Sequence, residues 1–141
     1  MSPRDTSTGD VLEQMVLPAL RQGGYQVAKH IKIGVRPGGG KHIVDVVAGD
    51  GSGRAILIEL KWQQTAGTTE QKIPFEVMCL ARSLKESRGR YAAAYLVLGG
   101  DGWTLREFYI GGGLNEYLRG GDSVKILGME TFIAKANKGD L

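Results

Sequence analysis

The stretch IVDVVAGDGSGRAILIELK, residues 43–61, decides the architecture expected of this chain. It holds two runs of β-branched and aliphatic residues separated by GDGSG, residues 49–53, a pattern typical of two strands joined by a hairpin turn. Charged residues interrupt both runs: Asp45 lies in the first, and Glu59 and Lys61 lie in the second. Because side chains alternate along a strand, Glu59 and Lys61 share one face, and the hairpin brings Asp45 close to Glu59.

The segment before this hairpin predicts a helix followed by a strand. Hydrophobic residues recur at helical spacing from Leu12 to Leu20, and Asp10 is a candidate N-cap for this helix. Pro18 removes a backbone donor from the same segment, so we expect the helix to bend there. The apolar positions of residues 25–35 then indicate a strand.

The segment after the hairpin predicts a second helix and a buried strand. The helix is expected to begin at Thr68 or Thr69, and YAAAYLVL, residues 91–98, is typical of a strand covered on both faces. The pattern of residues 103–110 does not decide between strand and helix, whereas a short helix, a short strand and a last helix are expected near residues 114–118, 124–127 and 130–136. The expected fold is a single α/β domain, with an α-β-β-β-α-β core over residues 10–98, a mixed central sheet and C-terminal additions over residues 99–141.

The composition is that of one small, mildly basic globular domain. The chain has 141 residues and a net charge of +3, and it lacks the roughly 20 consecutive apolar residues of a membrane span. Cys79 is the only cysteine, which excludes an internal disulfide and a cysteine-rich zinc site. Residues 1–10 are polar and carry no apolar signal core, so we expect a cytoplasmic protein with no membrane association. With only His30 and His42 as histidines, any metal would be bound by carboxylates, which favours Mg²⁺ or Mn²⁺.

The charges inside the two strands are the candidate chemical groups. Burying an unpaired charge costs several kcal/mol, so such charges indicate a chemical or structural role. One interpretation is a divalent metal held by Asp45, Glu59 and the backbone carbonyl of Leu60, with Lys61 orienting or deprotonating a water, an arrangement suited to phosphodiester hydrolysis. The alternative is a structural salt bridge from Lys61 to Asp45 or Glu59. The spacing of these residues alone leaves both interpretations open.

The same residues resemble a known family. Asp45 followed by Glu59-Leu60-Lys61, on consecutive strands after an N-terminal helix, is similar to the PD-(D/E)XK nuclease superfamily, in particular its small restriction-type nucleases and archaeal-type Holliday-junction resolvases. Val44 stands where the family name has proline. The resemblance implies the restriction-endonuclease-like fold, Asp45 and Glu59 as metal ligands, Lys61 as the catalytic lysine, and a 5′-phosphate product.

Further residues are weaker candidates for this site. The resemblance makes Glu13 a possible accessory metal ligand, although Asp10 and Glu13 also match a helix capping box. Gln63 extends the face of Lys61 toward the metal water or the DNA, or else is a solvated strand end. Gln71 fits a Q-x-x-x-aromatic pattern of exonuclease-like members, or caps the helix with Thr68. Basic residues expected to line one side of a DNA cleft are Arg36, Lys41, Lys61 and Lys72.

These observations predict a Mg²⁺-dependent DNA endonuclease, with Mn²⁺ able to substitute. Cutting both strands of a duplex with one site per chain suggests a homodimer. The alternatives are a Holliday-junction resolvase or another structure-specific or repair nuclease, and a non-catalytic DNA-binding module of the same fold.

Overall fold

The computed structural model describes residues 8–141, which form a five-stranded sheet with helices on both faces. The segment before residue 8, which includes most of the polar N-terminus, lies outside the described residues. The strands are β1 (Gln26–Val35), β2 (Lys41–Gly49), β3 (Ala55–Trp62), β4 (Tyr91–Gly99) and β5 (Val124–Gly128). The helices are α1 (residues 8–22), α2 (Ile73–Glu86), α3 (Arg106–Ile110) and α4 (Met129–Asn137), with short 3₁₀ turns at Thr69–Lys72, Gly113–Glu116 and Gly121–Ser123.

The sheet is mixed, which confirms the expected fold class. Its strand order is β1-β2-β3-β4-β5, antiparallel from β1 to β3 and parallel from β3 to β5. The hairpin predicted between β2 and β3 is present, closed by a hydrogen bond from the Asp50 N–H to the Arg54 carbonyl. The β4 strand is buried over most of its length, as its continuous apolar sequence predicts.

The C-terminal residues complete the sheet and its core. The strand β5 pairs with β4, and α4 buries Met129, Phe132 and Ala136 in the same cluster as α1. The unassigned residues 103–110 contain the short helix α3. Residues 99–141 are therefore integrated with the preceding core.

Two hydrophobic clusters cover the two faces of the sheet. The first packs α1 and α4 against one face and includes Ile58 and Leu60; the second packs α2 against the other face and includes Leu57. Alternation along β3 accounts for this division, and it directs Glu59 and Lys61 toward the face covered by α2.

The helix α1 is irregular where the sequence predicts a bend. Asp10 lies inside the helix, so it is not the expected N-cap. A π-helical turn, Leu12–Val16, precedes Pro18, and the Leu17 N–H bonds to the Leu12 carbonyl. Proline clashes with the carbonyl four residues earlier, and the wider turn accommodates this clash.

The strands β1 and β2 change faces halfway along their length. Val44 packs in the α2-side cluster and Val46 packs in the α1-side cluster, although residues two apart on a regular strand share a face. On β1 the corresponding change occurs around His30, whose φ of 54° lies in the left-handed region. The pairs Lys29–Val46 and Ile31–Val44 flank this position. Asp45 lies between Val44 and Val46, at the point where this change of face occurs and where β2 separates from β3.

Within residues 8–141, no helix combines the length and apolar content needed to cross a membrane.

Candidate active site

Asp45 and Glu59 meet where β2 separates from β3. The antiparallel pairing of these strands ends at Val46–Ile58, one position before Asp45 would face Glu59. In the gap, the Asp45 N–H donates to Glu59 Oε1 at 3.3 Å, and the Leu60 N–H donates to Asp45 Oδ2 at 2.7 Å. Each carboxylate thus bonds to the backbone of the opposite strand, which holds the two acids beside each other.

The electrostatics of this pair are unfavourable without a compensating charge. Glu59 is only 4% exposed and Asp45 is half-buried. Burial, followed by a hydrogen bond between the Asp45 and Glu59 side chains and by the negative charge of Asp45, raises the pKa of the Glu59 carboxyl well above its usual range, and the Lys61 charge opposes this rise. A cation between the two carboxylates would relieve their repulsion.

An open cleft of about 310 Å³ gives access to this pair. We call it the acidic cleft. It lies at the carboxyl end of β3, and Lys72 reaches its wall from the 3₁₀ turn before α2. The lining residues are Thr8, Asp45, Glu59, Leu60, Lys61, Trp62, Thr69 and Lys72.

Lys61 forms its ion pair with Glu76 on α2, so the salt bridge to Asp45 or Glu59 considered from the sequence is not the one found. Lys61 Nζ lies 3.8 Å from Glu76 Oε1. The same carboxylate receives two hydrogen bonds from the Arg36 guanidinium, at 3.1 and 3.3 Å. Arg36 also donates to Cys79 Sγ at 3.5 Å and lies over the Phe75 ring, so it is tied to α2. Glu76 is therefore a buried anion that links Lys61 to Arg36.

The sequence reasoning missed Glu76, although a signal was present. The apolar face of α2 follows Ile73, Val77 and Leu80, and Glu76 falls three residues after Ile73 on the same stripe. An acid on an otherwise apolar stripe requires a buried partner, and here Arg36 and Lys61 provide it.

The sequence matches a protein-family model over nearly its whole length. A model of the PD-(D/E)XK nuclease superfamily domain matches residues 4–140 of the sequence. The chain belongs to the PD-(D/E)XK nuclease superfamily. Asp45 and the run Glu59-Leu60-Lys61 are the positions that fit the motif for which the superfamily is named.

A search of solved structures gave three matches, each with a TM-score below 0.5. The first is a protein of unknown function, AF1548, with 18% identity and a TM-score of 0.48, over 80% of this chain and 54% of that chain. The second is a repair endonuclease from Pyrococcus abyssi, with 17% identity and a TM-score of 0.45, over 89% of this chain and 46% of that chain. The third is the small subunit of the heterodimeric restriction endonuclease R.BspD6I, with 19% identity and a TM-score of 0.42, over 84% of this chain and 61% of that chain. The chain thus spans between 46% and 61% of the length of these structures. A search of curated proteins found no match to the chain.

The candidate accessory residues Glu13 and Lys41 lie outside the acidic cleft. Glu13 forms an exposed ion pair with Lys29 on β1, whose hydrogen bond lowers the pKa of the Glu13 carboxyl. Glu13 does not line the acidic cleft, and the capping box with Asp10 is absent because the helix already includes Asp10. Lys41 is exposed at the start of β2, outside the cleft lining.

Gln63 and Gln71 also lie outside the acidic cleft. Gln63 is buried, its amide donates to the Gly102 carbonyl at 2.8 Å, and its Oε1 accepts from the Glu70 N–H at 3.1 Å. Gln63 therefore joins two loops and is not the solvated strand end considered above. Gln71 is exposed in the 3₁₀ turn, and Thr68 makes no side-chain cap hydrogen bond there, so the predicted capping box is absent.

The donor set of the acidic cleft fits a hard divalent cation. Asp45 and Glu59 supply carboxylate oxygens, the ligands that Mg²⁺ prefers. The Leu60 N–H points into the gap toward Asp45, and since the N–H and C=O of one strand residue point the same way, its carbonyl is directed there too. Among residues 8–141, no group of three or more His, Cys, Asp or Glu side chains is placed to hold a metal. A cation here would complete its coordination with water or substrate oxygens, as Mg²⁺ commonly does.

Proposed function

We propose that this protein is a metal-dependent endonuclease that hydrolyses phosphodiester bonds in DNA. The observation that carries the proposal is the pairing of the Asp45 and Glu59 carboxylates, with Lys61 beside them, in an open cleft. Membership in a nuclease superfamily supports the same reaction class.

The residues of the acidic cleft have distinct roles in this proposal. Asp45, Glu59 and the Leu60 carbonyl bind Mg²⁺, with Mn²⁺ as a substitute. A cation bound there supplies charge neutralisation for a phosphodiester under attack. Lys61, anchored by Glu76, orients the attacking water and stabilises the negative charge that develops on the phosphate oxygens. Lys72 at the cleft wall contacts a neighbouring phosphate. The water oxygen bonds to phosphorus as the bond to the 3′ oxygen breaks; the water gives up a proton to solvent and the 3′ oxygen takes one from solvent, which leaves a 5′-phosphate and a 3′-hydroxyl.

The remaining site candidates are proposed as weaker contributors. Arg36 acts through Glu76, Glu13 is proposed as an accessory metal ligand, and Lys41 and Gln71 are proposed as DNA contacts. Gln63, whose amide is bonded to Gly102 and Glu70, is proposed as an accessory residue that positions the loops beside the acidic cleft. We propose a homodimer with one acidic cleft per chain, and a cytoplasmic location, which suits the single free cysteine, Cys79.

The experiment is cleavage of supercoiled plasmid at low salt with Mg²⁺, with Mn²⁺ or with EDTA. The wild type should nick or linearise the plasmid only with a metal, and Glu59→Gln and Lys61→Met should lose this activity. Glu116→Gln and Lys138→Met are matched controls, because they remove the same charges at exposed positions outside the cleft. Activity that persists in Glu59→Gln would contradict the proposed site.

The choice of DNA substrate separates the restriction-type function from its alternatives. Linear duplex, a four-way junction and a flap substrate should be compared under the same conditions. Preference for the junction would identify a resolvase, and preference for the flap a structure-specific repair nuclease. DNA binding that ignores Mg²⁺, with no cleavage of any substrate, would replace the nuclease proposal with a binding module.

A further inference from the structure

Both tryptophans of the chain converge on Gly99, the last residue of β4. The Trp103 indole N–H donates to the Gly99 carbonyl at 2.7 Å. The Trp62 ring lies against the Gly99 Cα, where an added Cβ would come within 2.5 Å of a ring carbon. Both rings thus contact Gly99, at the carboxyl ends of the parallel strands β3 and β4. Open α/β sheets bind ligands at this edge.

Hydrogen bonds and close backbone packing join the loops around Gly99. The Gln63 N–H donates to the Gly99 carbonyl at 3.0 Å, and the Gly102 N–H donates to the Gln63 carbonyl at 2.9 Å. A Cβ on Gly100 or Gly102 would lie 2.3 or 2.4 Å from the backbone of Gln63 or Thr65, so the two loops pack against each other directly. These contacts place the loop that carries Trp103 directly against the end of β3.

The two rings line a cavity of about 800 Å³, which we call the tryptophan cavity. Trp62 lines both this cavity and the acidic cleft, so the two spaces adjoin at this residue. The volume lies within the range of about 300–1,000 Å³ typical of small-molecule sites. Gln64 and Asn137 add amide donors and acceptors to the lining.

The charges of the tryptophan cavity favour a neutral heterocycle over a phosphate. Its lining contains two carboxylates, Asp101 and Glu130, against one guanidinium, Arg106, which lies 3.9 Å from Glu130. Carboxylates repel phosphate, but they accept hydrogen bonds from the amino groups of bases. Fixed aromatic faces with such acceptors suit a nucleobase that has left its stack.

We propose that the tryptophan cavity binds an unstacked nucleobase next to the phosphate in the acidic cleft. The inference rests on the proposed function and extends it to a substrate class: DNA with an unpaired or flipped nucleotide beside the cleavage point. Trp62 is the wall against which this base stacks, and Trp103 is a second aromatic wall of the same cavity.

The test is intrinsic tryptophan fluorescence in EDTA, where no cleavage is expected. Trp103→Phe leaves Trp62 as the only tryptophan, and Trp62→Phe leaves Trp103, so each variant reports on one wall. A short single-stranded oligodeoxyadenylate should quench both reporters and bind more tightly than a blunt duplex of the same length. Trp62→Leu should weaken single-strand binding about tenfold or more, measured by fluorescence anisotropy of labelled DNA, while Trp62→Phe retains most of the affinity.

Controls keep the proposal falsifiable if Trp62→Leu folds poorly. Trp103→Leu tests the second aromatic wall, and Tyr117→Leu removes an aromatic ring that is 76% exposed and outside the cavity. Equal affinity of all variants for single strands, or equal affinity of the wild type for single strands and duplex, overturns the inference. Quenching by deoxyadenosine monophosphate as strong as by the oligonucleotide also overturns it, in favour of a mononucleotide site.

The outcome is separable from that of the proposed function. Single-strand binding that depends on Trp62, without cleavage of any substrate, keeps the base site and removes the nuclease proposal. Metal-dependent cleavage that is unaffected by Trp62→Leu supports the nuclease proposal and contradicts the proposed base site.

Discussion

At the scale of single residues, we expect the Asp45–Glu59 pair to destabilise the metal-free protein. Its two carboxylates are close, and Glu59 is buried with a raised pKa. Mg²⁺ bound between them should stabilise the fold by about 2.7 kcal/mol at a concentration 100-fold above its Kd, seen as a higher Tm in differential scanning calorimetry. Glu59→Gln should lose this response, and Glu116→Gln should keep it. An equal rise in Tm in Glu59→Gln would show that Glu59 is not a ligand.

Glu76 contributes at the same scale by linking Lys61 to Arg36. Glu76→Gln preserves shape but removes the buried charge, so we expect the free energy of unfolding to fall by about 3 kcal/mol. Because Lys61 loses its anchor, kcat for plasmid nicking should fall about tenfold or more with little change in KM. Arg36→Gln is the comparison: it breaks the same cluster but leaves the Lys61–Glu76 contact, so it should destabilise with a smaller loss of kcat. Equal loss of kcat in the two variants would assign Glu76 a purely structural role.

At the scale of elements, the alternation of β3 and the glycine turn before it made the central site predictable. They were sufficient to place Glu59 and Lys61 on one face and Asp45 near Glu59. The contacts of Glu76 and Gln63 were not predictable in this way, because their partners are distant in the chain. Arg36 is 40 residues from Glu76, and Gly102 is 39 residues from Gln63. Such pairings are fixed by how α2 and the loop after β4 pack on the sheet, which local periodicity does not encode.

The packing of β2 against α2 should make stability depend on pH. His42 on β2 is fully buried, and its Nδ1 lies 2.8 Å from Ser83 Oγ on α2. Burial and then the charge of Arg36 lower the pKa of His42 below its ordinary 6.5, with Glu76 opposing and Lys61 reinforcing the effect. His42 therefore binds a proton more weakly in the folded chain than in the unfolded chain. The free energy of unfolding should fall as pH drops below about 6.5, and His42 contributes at most about 1.4 kcal/mol per pH unit to this decline.

The two histidines of the chain provide the comparison for this prediction. His42→Asn should flatten the decline, measured as the free energy of urea unfolding at several pH values. His30→Asn removes the exposed imidazole, and asparagine tolerates the left-handed backbone at that position, so its pH profile should match the wild type. A wild-type slope in His42→Asn would assign the acid sensitivity to other groups.

At the scale of the whole molecule, the C-terminal residues should be required for folding. Phe132 on α4 is fully buried and packs edge-on against Tyr95 of β4, with ring centroids 6.0 Å apart. Phe132→Ala should lower the free energy of unfolding by about 3–5 kcal/mol in one cooperative transition. Tyr117→Ala, at a site that is 76% exposed, should change it by less than about 0.5 kcal/mol. A separate early transition in Phe132→Ala would instead show that this part unfolds independently.

Under the proposed function each chain carries one Asp45–Glu59 pair in its acidic cleft, so we expect one chain to cut one strand and a double-strand break to use two chains. If the proposed homodimer is the cutting species, an excess of Glu59→Gln mixed with the wild type should form heterodimers with one active site. Such mixtures should convert supercoiled plasmid to nicked circles while linear product nearly disappears, as measured by gel electrophoresis over time. The same excess of Glu116→Gln should leave the linear product undiminished. If linear product survives an excess of Glu59→Gln that has equilibrated with the wild type, chains cut independently and the dimer is not the catalytic unit.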